Sequence, residues 1–515
     1  MSLRIGVDVG GTNTDAVLMD DTVVVAKIKT PTSEDVTSGI TTAIRSILDS
    51  SRANIDNIRA VMIGTTHFTN AIVERRNLQR VGVIRIGLPA TQALPPFVVW
   101  PEELVTVIDP VSHLVGGGYE FDGRPIAPFD EAAVRAAAED FSQKGIRAVA
   151  ISCVFSPVNA DLEERAAEIV AEVHPEAVIT RSNEIGRVGL LERENAAILN
   201  STLRDLATRT VDAFEHSVSE IGIAAPLYLT QNDGTLMLAD FARKFPVLTI
   251  ASGPTNSMRG AAFLSGISNG IVVDIGGTTT DVGVLTNGFP REASVAVEVG
   301  GVRTNFRMPD VYSVGLGGGS LVNLESGSVG PQSVGYRITR DARVFGGDQL
   351  TATDVIVAAG KADIGDASLV SDIPTDRLGA AVQRIQEIVA EAVDRMKTSS
   401  EPLPVIVVGG GSVLVVQEIE GGSSLVKPDH FEAANAVGAA IAQISGELDR
   451  IYSLDQMPRS EVLASAKAEA SGRAVAAGAD ASTISIVDVE DVPLAYLPGN
   501  ATRVRVKAVG ELTLV

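Results

Sequence analysis

Residues 7–15 read Val-Asp-Val-Gly-Gly-Thr-Asn-Thr-Asp and residues 273–281 read Val-Asp-Ile-Gly-Gly-Thr-Thr-Thr-Asp, identical at seven of nine positions. A repeat placed about half a chain apart constrains the fold more than any other feature here. Each copy follows a β-branched run (Ile5 to Val7; Ile271 to Val273) and precedes an apolar one (Ala16 to Leu18; Val282 to Leu285). Gly-Gly supplies the positive-φ residues of a tight turn, so each copy predicts a β-hairpin. Twin hairpins in a chain of 515 residues predict two related α/β halves facing one another.

Between the hairpins, strands and helices alternate. Val61 to Ile63, Val81 to Ile84, Ala148 to Phe155 and Val405 to Val408 read as buried strands of a mostly parallel or mixed sheet. Helical spacing covers 130–143, 160–172, 190–218, 378–397 and 431–449. Gly253-Pro254 opens a further helix over about 254–265, with proline where a missing N–H is tolerated, and this helix joins the halves. The Pro- and Gly-rich stretch 85–130 reads as an insertion or lid. After about 453, one helix (461–477) and two strand-like runs read as a small appended unit.

The formal charge of -22 argues against binding nucleic acid or an anionic membrane surface, though a local basic pocket remains compatible with it. Cys153 is the only cysteine, which excludes an intramolecular disulfide and a cysteine-based zinc site and fits a reducing, cytoplasmic setting. The chain shows no signal-peptide pattern and no apolar run of membrane-spanning length, so a cytoplasmic protein is expected.

Asp8 and Asp274 each end a buried strand one residue before Gly-Gly-Thr. A carboxylate there is costly unless it meets a cation or several donors. The glycines let backbone N–H groups approach an anion, and the Thr hydroxyls add donors. A carboxylate beside an anion cradle suits Mg²⁺, which takes a few carboxylates, waters and phosphate oxygens. Two facing cradles predict a clamp on one nucleotide triphosphate; the competing reading is a pair of structural turns with capped aspartates. Asp8 and Asp274 are thus the candidate metal ligands. Gly10, Gly11, Thr12, Asn13, Thr14, Gly276, Gly277, Thr278 and Thr279 are the candidate phosphate binders. Gly409, Gly410 and Gly411 follow a buried strand and leave room for a purine ring; a tight turn explains them equally well on their own.

Asp15 and Asp281 project from the second hairpin strands and are candidate catalytic groups, with capping as the competing role. Thr65, Thr66, His67, Asn70 and Asp233 are candidate substrate-contacting residues, each with a structural alternative. The charged run Glu192-Arg193-Glu194-Asn195 reads as a solvated helix face. Gly317 to Gly319 either borders the substrate or bends the chain.

The order hairpin, joining helix, hairpin, strand-GGG and Ala-rich helix resembles the actin/hexokinase/Hsp70 ATPase superfamily. More closely, the chain resembles the ATP-binding A subunit of the hydantoinase/oxoprolinase family. The carrying stretches are Gly64-Thr65-Thr66-His67-Phe68-Thr69-Asn70 through Arg75, Gln231-Asn232-Asp233-Gly234, Ser252-Gly253-Pro254 and Asp274 to Asp281. Gly315 to Ser320, Gly330-Pro331-Gln332-Ser333, Thr353-Asp354 and Pro493-Leu494-Ala495-Tyr496 complete the set.

The resemblance implies two actin/hexokinase-like (ribonuclease H-like) domains around a central cleft. The first spans 1–265 with an insertion at about 85–180, the second 266–452 with the adenosine motif, and a small C-terminal α/β unit covers 453–515. It further implies ATP and Mg²⁺ as cofactors, phosphorylation of the carbonyl oxygen of a small cyclic amide, and a separate B-type partner subunit in a hetero-oligomer. The alternatives are a ketone-phosphorylating carboxylase subunit, a small-molecule kinase and an ATP-driven reactivating protein.

Overall fold

The computed structural model describes residues 3–10, 13–31, 36–293, 297–495 and 499–513. Both repeats form the expected hairpins. Leu3–Val9 pairs antiparallel with Asn13–Asp20, setting Asp8 opposite Asp15, and Gly270–Ile275 pairs with Thr280–Thr286, setting Asp274 opposite Asp281. The two turns close alike: Gly10 N–H donates to the Asn13 carbonyl (3.0 Å) and Gly276 N–H to that of Thr279 (2.9 Å).

Each hairpin founds a sheet. Val23–Pro31 adds an edge to the first, while Ile58–Thr65 and then Leu227–Thr230 run parallel to Leu3–Val9 on its other side. The ladder continues through Thr235–Leu238, Gln443–Ser453, Ala501–Gly510 and Ser485–Pro493 to nine strands. The second sheet has six strands, with Leu403–Val408 parallel to Gly270–Ile275. The carboxyl ends of Leu3–Val9, Ile58–Thr65 and Leu227–Thr230 therefore share one edge, as do those of Gly270–Ile275 and Leu403–Val408. In such sheets ligands gather at that edge.

Helices Ser252–Ser265 and Ala434–Ala440 fill the space between the sheets. Met258 and Ala261 pack on Val272, Ile406 and Val408 of the second sheet. Ala436, Val437 and Ala440 pack on Val17 and Met19 of the first. The helices cross with their backbones in contact: a Cβ on Gly260 would lie 1.8 Å from the Ala434 carbonyl oxygen, and one on Gly438 1.8 Å from that of Asn256. Only glycine permits that approach.

Four expectations change. The helix foreseen over 431–449 stops at Ala440, and Gln443–Ser453 is a strand. Its period-two burial (Ile444 and Leu448 inward) was hidden behind an alanine-rich run, and Gly446 lets it lie directly against helix Arg459–Ala476. That strand pairs with Ala501–Gly510 along ten residues, so the segment read as an appended unit extends the first sheet. The insertion is a folded unit, four parallel strands in the order Val111–Gly116, Val81–Leu88, Ala148–Cys153 and Val178–Arg181.

The charged run beginning helix Leu190–Glu220 is not a solvated face: Arg193, Glu194 and Asn195 are buried. Arg85 Nε donates to Glu194 Oε2 (2.6 Å), and Arg193 Nε donates to Ser182 Oγ (3.0 Å). Asn195 accepts from Trp100 Nε1 (2.8 Å) and donates to the Arg303 carbonyl (2.9 Å). The run fastens the insertion to the main body, with the charges compensated as burial demands.

Candidate functional site

The two hairpin tips open on one cleft of about 380 Å³, lined by Gly10, Asn13, Asp15 and Lys29 on one side and by Asp274 and Gly276 to Thr279 on the other. Gly409, Gly410 and Gly411 line it as well, and Ile338, Phe345, Ile364 and Val413 supply an apolar wall. Gly11 and Thr12 lie outside the described residues, as does Tyr496. Thr14 is buried on the strand behind Asn13.

Asp8 sits just behind this lining. Asn256 Nδ2 donates to its Oδ1 (3.2 Å) and Asn435 Nδ2 to its Oδ2 (3.0 Å); Asn435 also donates to Asp15 (3.0 Å). The glycine-mediated helix crossing thus delivers one amide from each helix to the same carboxylate. Gly64 on the neighbouring strand leaves room for it, since a Cβ there would lie 2.4 Å from Asp8 Oδ1. Burial pushes the Asp8 carboxyl up to about 6, opposed first by the Asn256 hydrogen bond.

Asp274 has a matching position and thinner support. Burial raises it to about 6 as well; the Ser257 hydroxyl opposes the rise, while Asp281 and Asp8 add to it. Gly409, at φ +86°, makes the room behind it, because a Cβ there would stand 2.3 Å from Asp274 Oδ1. The second turn is buttressed from outside: Gly318 and Gly319 N–H donate to the Gly276 and Gly277 carbonyls (3.0 and 2.8 Å). Gly317 to Gly319 is therefore the brace of the second phosphate loop, and Gly318 reaches the cleft.

Asp15 and Asp281 diverge despite their equivalent register. Asp15 lines the cleft in an ion pair with Lys29 (2.7 Å). Asp281 is turned away from it, accepts a hydrogen bond from Ser313 Oγ, and is raised by burial.

The remaining predicted residues lie beside the cleft. Thr65 Oγ1 accepts from His67 N–H (3.1 Å), a helix-start contact, and Thr66 N–H donates to the Val9 carbonyl (3.4 Å) next to the first turn. Asn70 reaches back to Thr66 Oγ1 (3.5 Å), and burial, then Arg209, lowers the His67 imidazole. Asp233 lines a separate cavity of about 580 Å³. There Lys507 (2.7 Å) holds its carboxyl below the usual range against the opposing effect of burial. Sequence reasoning missed Lys29, Asn256, Ser257 and Asn435. The legible signal was a polar residue inside each of two small-residue helices.

Buried Asp8 and half-buried Asp274, held by neutral amides and a hydroxyl, are a donor set short of positive charge. A divalent cation fits it. Among the described residues no group of three or more His, Cys, Asp or Glu side chains could hold a metal alone. That suits Mg²⁺, which fills its shell with water and phosphate oxygens.

Fold and site together define a two-domain α/β protein with duplicated acidic glycine turns around an interdomain cleft. Residues 4–174 match the hydantoinase/oxoprolinase N-terminal region and residues 193–366 the hydantoinase/oxoprolinase domain. The chain belongs to the hydantoinase/oxoprolinase family. It is 28% identical to caprolactamase subunit alpha of Pseudomonas jessenii over 75% of this chain and 58% of that protein. With the acetophenone carboxylase gamma subunit of Aromatoleum aromaticum it shares 26% identity over 69% of this chain and 53% of that one. The chain thus spans little more than half the length of these relatives. The solved ATP-dependent caprolactamase from P. jessenii superimposes with TM-score 0.79 at 22% identity, covering 99% of this chain and 88% of that one. Nucleotide-free acetone carboxylase gives 0.68 at 18%, covering 100% and 88%. No helix among the described residues is long and apolar enough to cross a membrane.

Proposed function

We propose that this chain is the ATP-using subunit of an enzyme that phosphorylates the carbonyl oxygen of a small cyclic amide and so promotes ring opening. The observation that carries the reading is the pair Asp8, buried, and Asp274, half-buried, at matched positions beside two glycine turns that share one cleft. ATP-dependent relatives acting on a lactam and on ketones support carbonyl activation as the chemistry.

Amide resonance makes the carbonyl carbon a poor electrophile. Transfer of the γ-phosphoryl group to the oxygen removes that resonance and leaves a carbon open to water. The protein's task is in-line positioning and charge neutralisation. In this reading Gly10, Asn13 and Gly276 to Thr279 hold the phosphates, together with Gly11 and Thr12, and Thr14 supports the strand behind them. The apolar wall of Ile338, Phe345 and Val413, with Gly409 to Gly411, takes the adenosine. Asp8 and Asp274 would hold Mg²⁺, directly or through water. When bound, the ion neutralises phosphate charge. Lys29 adds a cation at the first turn and fixes Asp15, the better placed of the two secondary aspartates to orient an attacking group. Asp281 is assigned to supporting the second hairpin. Thr65, Thr66, His67 and Asn70 border the substrate approach beside the first turn.

A B-type subunit that completes hydrolysis is part of the proposal, in keeping with relatives that are themselves subunits. The second reading, a ketone-phosphorylating carboxylase subunit, is favoured by the carboxylase relatives. ADP release measured against cyclic amides, ketones with bicarbonate, and polyols separates the readings. A lactam-dependent rate supports the proposal, a ketone- and bicarbonate-dependent rate replaces it with the second reading, and a polyol-dependent rate indicates a kinase.

A further inference from the structure

A third cavity, of about 470 Å³, opens between the two sheets away from the hairpin turns. Its size falls in the range of small-molecule sites. Thr286 and Phe289 line it at the far end of strand Thr280–Thr286, about 20 Å of strand from the second glycine turn. Five cations line it, Arg187, Arg291, Arg503, Arg505 and Lys507, against the carboxylates of Glu292, Asp488 and Glu490. In a chain of formal charge -22, such a concentration of cations reverses the general sign of the surface. Arg291 follows the second-sheet strand Phe289–Pro290, Arg503 stands on strand Ala501–Gly510 of the first sheet, and Arg187 precedes helix Leu190–Glu220.

The carboxylates present do not use up these donors. Glu292 alone meets three guanidinium groups, those of Arg187 (2.9 Å), Arg307 (3.2 Å) and Arg505. The like charges are felt: after burial, Arg307 and Arg505 hold Arg187 below the ordinary arginine range. Asp488 and Glu490 both face Arg505, at 3.2 Å each. Arg503 donates to Asp449 through Nε (2.8 Å) and Nη2, and Arg291 to Asp310 through the same two atoms (3.0 and 2.7 Å). Arg187 Nε stands 3.6 Å from Asp449, beyond hydrogen-bonding distance. In Arg187, Arg291 and Arg503 alike, Nη1 makes no hydrogen bond among the described residues. These donors are not sealed in: the three side chains are 18, 24 and 31% exposed, and none of their Nη1 atoms is buried.

We infer that this cavity binds a small dicarboxylate through the free guanidinium edges of Arg187, Arg503 and Arg291. Each Nη1 carries two N–H groups, and a guanidinium edge matches the lone pairs of a carboxylate. Arg187 and Arg503 both flank Asp449, so they address one acceptor group together. Arg291 stands apart with Asp310 and calls for a second acceptor group on the same ligand. Between them Phe289, Val487 and Val492 line the cavity with apolar surface suited to a short carbon chain. A bound dicarboxylate would link the two sheets at a distance from the nucleotide cleft. The inference does not rest on the reaction proposed above.

The test uses the nucleotide-free full chain with 4-fluorophenylalanine in place of phenylalanine, titrated with succinate and followed by fluorine NMR. Phe289 lines this cavity and Phe345 the cleft; Phe289→Leu and Phe345→Leu assign the two resonances. The expected result is a saturable shift of Phe289 with Phe345 unmoved. Succinamide, the same skeleton without charge, should bind at least about 10-fold more weakly, the worth of one charge-assisted hydrogen bond. Inorganic phosphate, too short to span both acceptor positions, should also bind more weakly than succinate at Phe289. Arg187→Met should weaken succinate at least about 10-fold, while Glu292 keeps Arg307 and Arg505 as partners. Val492→Glu breaks no ion pair, sits on an exposed strand position and adds a carboxylate to the lining, so it should weaken succinate without touching the fold. An unmoved Phe289, equal binding of succinamide, tighter binding of phosphate than succinate, or undiminished binding in Val492→Glu overturns the inference. Because the readout needs no turnover, its failure and that of the proposed reaction are told apart.

Discussion

The two hairpins differ more in their surroundings than in their sequences. Both set an aspartate one residue before a glycine turn, Asp8 buried and Asp274 half-buried, and both are pushed to about 6. Around the first, two asparagine amides meet Asp8, and Lys29 stands beside Asp15. Around the second, Ser257 is the side-chain donor to Asp274, Asp281 is tied to Ser313, and the turn is braced by the backbone of Gly317 to Gly319. The first half thus carries a cation at its turn, whereas the second is braced by backbone contacts.

The largest expected effect breaks both halves alike. Asp8→Asn and Asp274→Asn should each lower ATP hydrolysis by at least about 100-fold, the scale of removing a charge-stabilising group from a preorganised site. Each should also stabilise the nucleotide-free chain. A carboxyl raised above its ordinary value of 3.8 binds more protons folded than unfolded, so stability falls as pH rises from about 4 through about 6. Removing the charge should return up to about 3 kcal/mol at pH 7.5 and flatten that slope. Denaturant titrations at pH 5 and 7.5 read both signs. A variant that loses activity and stability together would mark a purely structural aspartate.

Next in size, Gly409→Ala should cost about 2–4 kcal/mol, since it adds a methyl 2.3 Å from Asp274 Oδ1 at a positive φ. Gly64→Ala places its methyl 2.4 Å from Asp8 Oδ1 without the backbone strain and should cost less. Thermal melts rank the two.

Lys29→Met sharpens the contrast. It should lower kcat about 10-fold and also cost stability, because it leaves the buried Asp15 carboxylate without its cation. The smallest effect belongs to Ser313→Ala, which touches only Asp281: steady-state kinetics should change less than about 3-fold. Equal effects of these two substitutions would erase the proposed asymmetry.

Much of this was legible beforehand because the governing signals are local. The hairpins follow from Gly-Gly between β-branched runs, and the parallel strands from short apolar stretches. The failures share a cause: partners distant in sequence. Arg193 and Glu194 look like a solvated face until Arg85 and Ser182 arrive from the insertion. Gln443–Ser453 reads as helix until Ala501–Gly510 pairs with it. Asn256 and Asn435 acquire meaning only where two glycines let their helices touch. Asp233, read as a candidate substrate contact, lies in the neighbouring cavity, where its partner Lys507 comes from far along the chain.

The account turns on one nucleotide being gripped by both halves at once. Titration of Mn²⁺ with a non-hydrolysable ATP analogue, followed by electron paramagnetic resonance, tests this directly. One bound ion per chain, lost equally in Asp8→Asn and Asp274→Asn, is the predicted result. Two independent ions, or one that survives either substitution, would contradict it.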